Sequence, residues 1–193
     1  MAQRIQVILG STRRGRQGEQ VARWVYERAS RQEGWEVELL DLADYPLPFY
    51  EEPMSPAGHK GKYELEVARR FVGKVAEGDG YILVTPEYNH SFSAVLKNAL
   101  DYGYYEWNRK PAAFVSYAGG VLGGVRAVEQ LRLVVVELQM APLRDAVHLA
   151  GVRQAFDGQG ALTNPSYEDR MQVMLRELDW WTRALKEGRA KSR

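Results

Sequence analysis

The sequence alternates five short, mostly apolar segments with five stretches of helical spacing, and this alternation constrains the fold more than any other feature. Each apolar segment stops at a polar or glycine-containing loop, as the strands of a buried parallel sheet do. Strands that alternate with helices are joined by right-handed crossovers, which place helices on both faces of the sheet. The sequence therefore predicts a doubly wound α/β domain, with strands near 4–9, 36–42, 81–85, 112–117 and 144–149.

The predicted helices lie between and after these strands. Apolar residues recur at helical spacing, for example at Val21, Val25 and Ala29, as they do on the buried face of a helix. Four prolines between residues 45 and 56 forbid regular structure, so this segment is predicted to be a loop. The predicted helices are 21–29, 63–75, 93–102, 125–138 and 166–186.

The composition is that of an ordinary globular chain without a linker, so residues 1–188 are predicted to form one domain. The basic residues 189–193 are predicted to be a disordered tail. The 26 basic and 25 acidic residues nearly cancel, which gives no field for binding nucleic acid. No apolar run approaches the roughly 20 residues of a membrane-spanning helix.

The chain contains no cysteine, which excludes disulfides, thiolate metal ligands and cysteine nucleophiles. The first apolar segment is too short for an export signal and is soon followed by arginines. His59, His90 and His148 are far apart in the sequence and lack ligand spacing, so no metal site is predicted. These features lead us to expect a cytoplasmic protein.

The loop after the first predicted strand, residues 10–18, combines glycines, hydroxyls and arginines in front of a predicted helix. Backbone N–H groups at a helix N-terminus and a guanidinium group both favour a bound phosphate. A loop that binds a nucleoside triphosphate would require Lys and then Ser or Thr after its second glycine, and no such pair follows Gly15. Thr12 replaces the middle glycine of the dinucleotide fingerprint. The loop therefore predicts a phosphate site for a ligand other than a nucleoside triphosphate or a dinucleotide. The alternative is a solvated loop with surface arginines.

The loop after the third predicted strand, residues 85–91, is dense in polar side chains and contains one aromatic residue, Tyr88. Its backbone, held rigid by Pro86, could read the edge of a heteroaromatic ring while Tyr88 packs beside the face. The alternative is a simple turn, with Asn89 forming an Asx turn and Ser91 or Ser93 capping the next helix.

The loop after the fourth predicted strand carries four glycines between residues 119 and 124. A backbone without side chains lets a flat ring approach closely and leaves N–H groups for ring oxygens. A flexible connection is the alternative. Ligands of such sheets bind beyond the carboxyl ends of the strands, so we expect the loops after strands one, three and four to form one site.

Three blocks in these loops resemble the NADPH-dependent FMN reductase family, which includes quinone, azo-dye and chromate reductases. The resemblance extends from Arg4 to about Leu149, and it implies a flavodoxin-like sheet of strand order 2-1-3-4-5. Family members often have proline at the position of Ser93, where serine can cap the helix instead. The blocks are residues 10–13, 86–91 with 96–101, and 119–120 with 123–127.

The resemblance also implies a set of FMN contacts on three loops. The FMN phosphate would be surrounded by Ser11, Arg13, Arg16, Gln17 and Gly18. The flavin ring and ribityl chain would be bordered on one side by Pro86, Glu87, Tyr88 and Asn89, and on the other by Ser116, Tyr117 and Gly119.

The chemistry implied by the resemblance is hydride transfer from NAD(P)H to flavin N5 and then to a small-molecule acceptor. The cofactor performs this chemistry, so no catalytic acid, base or nucleophile is predicted in the protein. The resemblance leaves the acceptor, and the choice between NADH and NADPH, open. It also implies a homodimer or homotetramer.

Two other functions compete with this prediction. A flavodoxin-type electron carrier would bind FMN without turning over NAD(P)H, but such carriers are usually acidic and this chain has a pI of about 7.9. A non-enzymatic scaffold would not bind FMN at all. The aromatic run from Tyr102 to Trp107 could wall an acceptor pocket, form a subunit contact or pack in the core, and Trp180 and Trp181 are expected in the core or an interface.

Overall fold

The computed structural model describes residues 2–191. Five strands form one parallel sheet of order β2-β1-β3-β4-β5, which confirms the predicted architecture and strand order. Each strand begins one to three residues before the predicted start. The strands are β1 (Gln3–Leu9), β2 (Trp35–Asp41), β3 (Gly80–Pro86), β4 (Pro111–Tyr117) and β5 (Ala141–Leu149).

Five long helices occur where the spacing predicts them. A single short helix, α2, starts inside the proline-rich segment at Pro56, because proline at the first helical position needs no N–H group. The helices are α1 (Gly18–Ala29), α2 (Pro56–His59), α3 (Glu66–Glu77), α4 (Ala94–Tyr102), α5 (Val125–Glu137) and α6 (Ser166–Lys191), and a 3-10 turn follows β2 at Leu42–Asp44.

Two hydrophobic cores cover the two faces of the sheet. Helices α1 and α6 pack on one face, and α3, α4 and α5 pack on the other. Every residue of β3 and β4 is buried, whereas the edge strand β2 is mostly half-exposed. The central strands therefore place their carboxyl ends, and the loops that follow them, at a rigid edge.

The aromatic run after α4 belongs mainly to the core. Tyr102 and Trp107 are buried, and the Trp107 indole donates a hydrogen bond to the Leu100 carbonyl at 3.2 Å. The Trp107 ring packs edge-on against Tyr81, with 4.9 Å between the ring centroids. Tyr105 is half-exposed. Core packing is thus the alternative that the structure supports for this run.

Asp79, immediately before β3, ties the end of α6 to the sheet. Its carboxylate accepts hydrogen bonds from Lys186 at 2.6 Å and Arg189 at 2.9 Å. Burial raises the pKa of Asp79, but hydrogen bonds from Lys186 and from the Arg4 backbone outweigh it and the pKa lies below its ordinary value. These ion pairs carry α6 through residues 189–191, which are helical rather than disordered as predicted. Ser192 and Arg193 lie outside the described residues.

Trp180 and Trp181 were predicted to lie in the core or in an interface, and the structure excludes the core. They pack against each other on α6 with 58% and 37% of their surfaces exposed.

Within residues 2–191, no helix has both the length and the apolar character needed to cross a membrane.

Candidate functional site

The loops after β1, β3, β4 and β5 meet at the carboxyl edge of the sheet and enclose a cleft of about 350 Å³. This is the edge at which doubly wound sheets bind ligands. A larger groove of about 1080 Å³ lies along α6 beside Gln3 at the opposite end of β1, and it contains none of the predicted site residues.

Most of the predicted site residues come together in this cleft. Gly18, Asn89 and Ser116 do not line it. The predicted residues that do line it are Ser11, Arg13, Arg16, Gln17, Pro86, Glu87, Tyr88, Tyr117 and Gly119.

The start of α1 forms the floor of the cleft at its β1 side. Gln17 precedes the helix and makes no side-chain capping bond, so the first N–H groups of the helix are open to an anion. Arg13 is exposed beside it, and its side chain makes no ion pair or hydrogen bond within the described part of the chain. This arrangement is suited to a phosphate.

Gly18 does not line the cleft, but it leaves room for Tyr117, which does. A Cβ atom on Gly18 would lie 2.3 Å from the Tyr117 hydroxyl oxygen, so only glycine lets the tyrosine ring lie against the start of α1. Burial raises the pKa of Tyr117 to about 12, which keeps the hydroxyl neutral.

Arg16 lies in the cleft wall but its charge is already paired. Its guanidinium donates hydrogen bonds to Asp41 at 2.9 Å and to Glu19 at 3.0 Å, and it also contacts the Ser11 carbonyl. Burial lowers the pKa of Arg16, but Asp41 and Glu19 outweigh it and leave the pKa raised. With 8% of its side chain exposed, Arg16 stabilises the loop, so of the two arginines of this loop that line the cleft only Arg13 has an unpaired charge.

Glu87 Oε2 is buried in the cleft without a hydrogen-bond partner, and the buried hydroxyls of Ser11 and Tyr117 have no partner beyond each other. An unpaired buried polar group costs about 1–3 kcal/mol, so a ligand that supplies the missing hydrogen bonds in the cleft would gain affinity from them. The two hydroxyls stand beside the anion-suited start of α1. The residues present therefore fit a ligand that carries both a phosphate and further polar groups, as FMN does.

The loop after β3 turns back on itself at Asn89 and His90. Tyr88 and Ser91 exchange backbone hydrogen bonds of 2.8 and 3.0 Å, and both central residues have positive φ, 49° and 73°. Tight two-residue turns of this kind favour asparagine. Asn89 is thus a turn residue at the tip of the loop and does not line the cleft, but the turn is a tight backbone turn and not the predicted Asx turn.

Glu87 and Arg126 join this loop to the first turn of α5. Arg126 Nε donates to Glu87 Oε1 at 2.6 Å, and 5% of the Glu87 side chain is exposed against 43% of Arg126. Glu87 and Arg126 belong to two different sequence blocks, and only the fold shows that they pair.

Ser93 caps α4 as predicted and also supports the first loop. Its Oγ accepts a hydrogen bond from the Leu96 N–H at 3.3 Å and donates one to the Gly10 carbonyl. Serine at this position therefore links two loops of the cleft, which proline could not do.

One wall of the cleft was not predicted from the sequence: the segment from Val152 to Gln154 after β5. The Val152 N–H donates to the Ala118 carbonyl at 3.0 Å, which brings this segment against the glycine loop. Its Arg153 is exposed and, among residues 2–191, forms no side-chain ion pair or hydrogen bond. The signal was available, because this segment also follows a strand at the same sheet edge. Ala118, Val152, Arg153 and Gln154 are the lining residues not predicted.

The strand order and a cleft at the carboxyl edge beside β1 and β3 define a flavodoxin-like α/β protein. Among solved structures, a flavoenzyme NAD(P)H:acceptor oxidoreductase from Paracoccus denitrificans shares this fold with a TM-score of 0.72 and 22% identity. The alignment covers 96% of this chain and 98% of that one.

Sequence comparison gives the family. Residues 3–154 match the model of the NADPH-dependent FMN reductase family. An NAD(P)H-dependent FMN reductase of Schizosaccharomyces pombe is 39% identical over 76% of this chain and 73% of its own length. A quinone reductase of Pseudomonas putida is 31% identical over 83% of this chain and 84% of its own.

The chain belongs to the NADPH-dependent FMN reductase family, which confirms the resemblance seen in the three loops. It is accordingly an oxidoreductase with FMN as its cofactor and NAD(P)H as its co-substrate.

Proposed function

We propose that the cleft binds FMN, with the phosphate at the start of α1, and that the enzyme passes reducing equivalents from NAD(P)H to a quinone, free flavin, azo compound or similar acceptor. The observation that carries this proposal is the set of buried polar atoms on Ser11, Tyr117 and Glu87 whose hydrogen-bonding capacity is not filled by the rest of the protein, beside a helix start without a side-chain cap. Relatives named quinone reductase and NADPH azoreductase support these acceptor classes.

The residues of the cleft would divide the work by position. Arg13 and the first N–H groups of α1 would bind the phosphate, with the hydroxyls of Ser11 and Tyr117 as further partners. FMN, when bound, supplies the redox chemistry, accepting hydride from NAD(P)H and passing it to the acceptor. Pro86 and Gly119 would bound the space for a planar ring from two sides.

The protein needs no proton-transferring side chain for this reaction. Its contribution is to orient the ring, to exclude water from one side and to set the charge around it. Among the cleft residues, Arg13 and Arg153 are cations without an ion pair, while Glu87 is compensated by Arg126. An excess of positive charge suits a cleft that receives the phosphates of FMN and of a dinucleotide.

We also propose that the protein is a cytoplasmic homodimer or homotetramer. The absence of cysteine is compatible with a reducing compartment. Helix α5 exposes Leu133 and Val136 on one side, at 69% and 57% of their surfaces. Apolar side chains that project from a helix in this way suit contact with another subunit. The mass in solution, measured by light scattering, tests whether the protein is a homodimer or a homotetramer.

Anaerobic addition of NADPH to the FMN-loaded protein tests the proposed function. Loss of the yellow absorbance, and its return when a quinone is added, is expected. Absorbance that persists after NADPH would indicate an electron carrier instead, and protein that binds no FMN would contradict the proposal. Steady-state rates with NADH and NADPH against a quinone, an azo dye and free FMN would then define both substrates.

A further inference from the structure

Ser116 on β4 and His148 on β5 lie opposite each other in the sheet, directly behind the glycine loop. Ser116 Oγ lies 2.7 Å from His148 Nδ1 and 2.9 Å from the Gly123 carbonyl oxygen. Ser116 is fully buried and does not line the cleft. Its hydroxyl therefore acts on the glycine loop and not on a ligand.

The direction of these hydrogen bonds follows from the atoms involved. A carbonyl oxygen only accepts, so the single hydroxyl proton of Ser116 goes to Gly123. Ser116 Oγ must then accept from His148, which fixes the proton of the imidazole on Nδ1. Burial lowers the pKa of His148, and the positive charges of Arg132 and Arg170 lower it further, so the neutral ring with one N–H is favoured.

The turn at Gly123 and Gly124 is pressed onto the same two strands. Both glycines have positive φ, 60° and 90°. A Cβ atom on Gly123 would lie 2.7 Å from the carbonyl carbon of His148, and one on Gly124 would lie 2.8 Å from Ser116 Cβ. Two glycines and one hydrogen-bonded serine thus fix where the loop returns to the sheet.

Both ends of this turn lead into the cleft. On the amino side, Gly119 lines the cleft. On the carboxyl side, Gly124 is the N-cap of α5, whose Arg126 is the ion-pair partner of Glu87. The turn therefore lies between Gly119, which lines the cleft, and the helix that carries the ion-pair partner of Glu87.

We infer that Ser116 and His148 are positioning residues for the flavin site, because their hydrogen bonds hold the glycine loop and the start of α5 in the arrangement that FMN requires. This inference rests on the proposed function. The His148 imidazole serves as a hydrogen-bond donor, and the rest of its side chain is replaceable.

Two substitutions of similar size test the donor. In His148→Asn the side-chain amide can replace the Nδ1–H donor, whereas His148→Leu cannot donate. We expect His148→Leu to raise the FMN dissociation constant about fivefold, the effect of one lost hydrogen bond, and to change the visible circular dichroism of bound FMN. His148→Asn should stay within about twofold of the unaltered protein. Arg144→Leu, on an exposed part of the same strand, is the control and should change neither readout.

Ser116→Ala gives a second measurement that does not depend on the histidine. It should weaken FMN binding to a similar extent, and the double variant Ser116→Ala/His148→Leu should be little worse than either single variant, because both substitutions interrupt one chain of hydrogen bonds from His148 through Ser116 to Gly123. Equal behaviour of the Leu and Asn variants, or additive effects in the double variant, would overturn the inference. Failure of the unaltered protein to bind FMN would instead refute the proposed function.

Discussion

The ammonium group of Lys110 donates a hydrogen bond to the hydroxyl of Tyr81 at 2.9 Å, inside the protein at the amino end of β4. It also donates to the carbonyls of Val75 and Ala76 at the end of α3, at 3.2 and 3.1 Å. Burial lowers the pKa of Lys110 to about 7, and the charge of Arg189 adds to this. Lys110 lies far from the cleft, and its lowered pKa makes the free energy of unfolding depend on pH.

The free energy of unfolding should therefore rise with pH above 7. Between pH 7 and about 10 the unfolded chain keeps the Lys110 proton while the folded protein loses it, so raising the pH favours the folded state by up to about 1.4 kcal/mol per pH unit. In Lys110→Met this contribution is absent. Urea denaturation of both proteins at pH 7, 8 and 9 measures the difference, and equal slopes would contradict the prediction.

Removing Arg126 alone from its ion pair with Glu87 should lower the free energy of unfolding more than removing both charges together. Arg126→Met leaves a buried carboxylate without its cation and should destabilise the FMN-free protein by about 1–2 kcal/mol, a value reduced by the exposure of Arg126. Adding Glu87→Gln to Arg126→Met should recover part of the loss, because a neutral amide is less costly to bury. Chemical denaturation of the three proteins decides this. A double variant less stable than Arg126→Met would refute it.

Arg13→Ala should weaken binding of FMN by about 1.5–3 kcal/mol, the value of a charge-assisted hydrogen bond to phosphate. Binding of riboflavin, which lacks the phosphate, should not change. Arg14→Ala is the matched control, since Arg14 is equally exposed but does not line the cleft. Fluorescence titration with both flavins measures the effect. Unchanged FMN affinity, or equal losses for both flavins, would exclude the phosphate role.

Gly119→Val should affect the ligand but not the fold. A Cβ atom at this position meets no atom within 4 Å, so the melting temperature of the FMN-free protein should stay within a few degrees. The added side chain would occupy the space proposed for the ring, and FMN binding should fall clearly. Gly158→Val, which is also open but lies outside the cleft, should change neither property. Full flavination of the Gly119 variant would show that no ring packs there.

His90→Gly should stabilise the protein by about 0.5–1 kcal/mol. His90 has a φ of 73° in the tight turn after β3, a conformation that costs a non-glycine residue energy and that an Asn-Gly turn adopts without strain. The greater freedom of glycine in the unfolded chain offsets part of this gain. Thermal and urea unfolding measure it, and a destabilised variant would mean that the His90 side chain makes a stabilising interaction.

The sequence by itself determined the architecture and the place of the site. Periodicity gave five strands and five long helices because each element buries a continuous apolar face, and this face is a local property of the chain. The family blocks located three of the four loops that line the cleft. Ser93 could be predicted as a helix cap for the same reason, since its role depends on residues three positions away.

Only the tertiary structure decided what each polar side chain does. The 10–18 loop contains several arginines that the sequence cannot rank, and Asp41 at the end of β2 pairs with Arg16 while Arg13 remains unpaired. Ser116 was predicted to approach the ring, but a fully buried position opposite His148 turns its hydroxyl to Gly123. The pairing of Arg16 with Asp41 joins residues 25 positions apart, and the contact of Ser116 with His148 joins residues 32 positions apart on neighbouring strands. Periodicity and short motifs do not encode contacts at such separations.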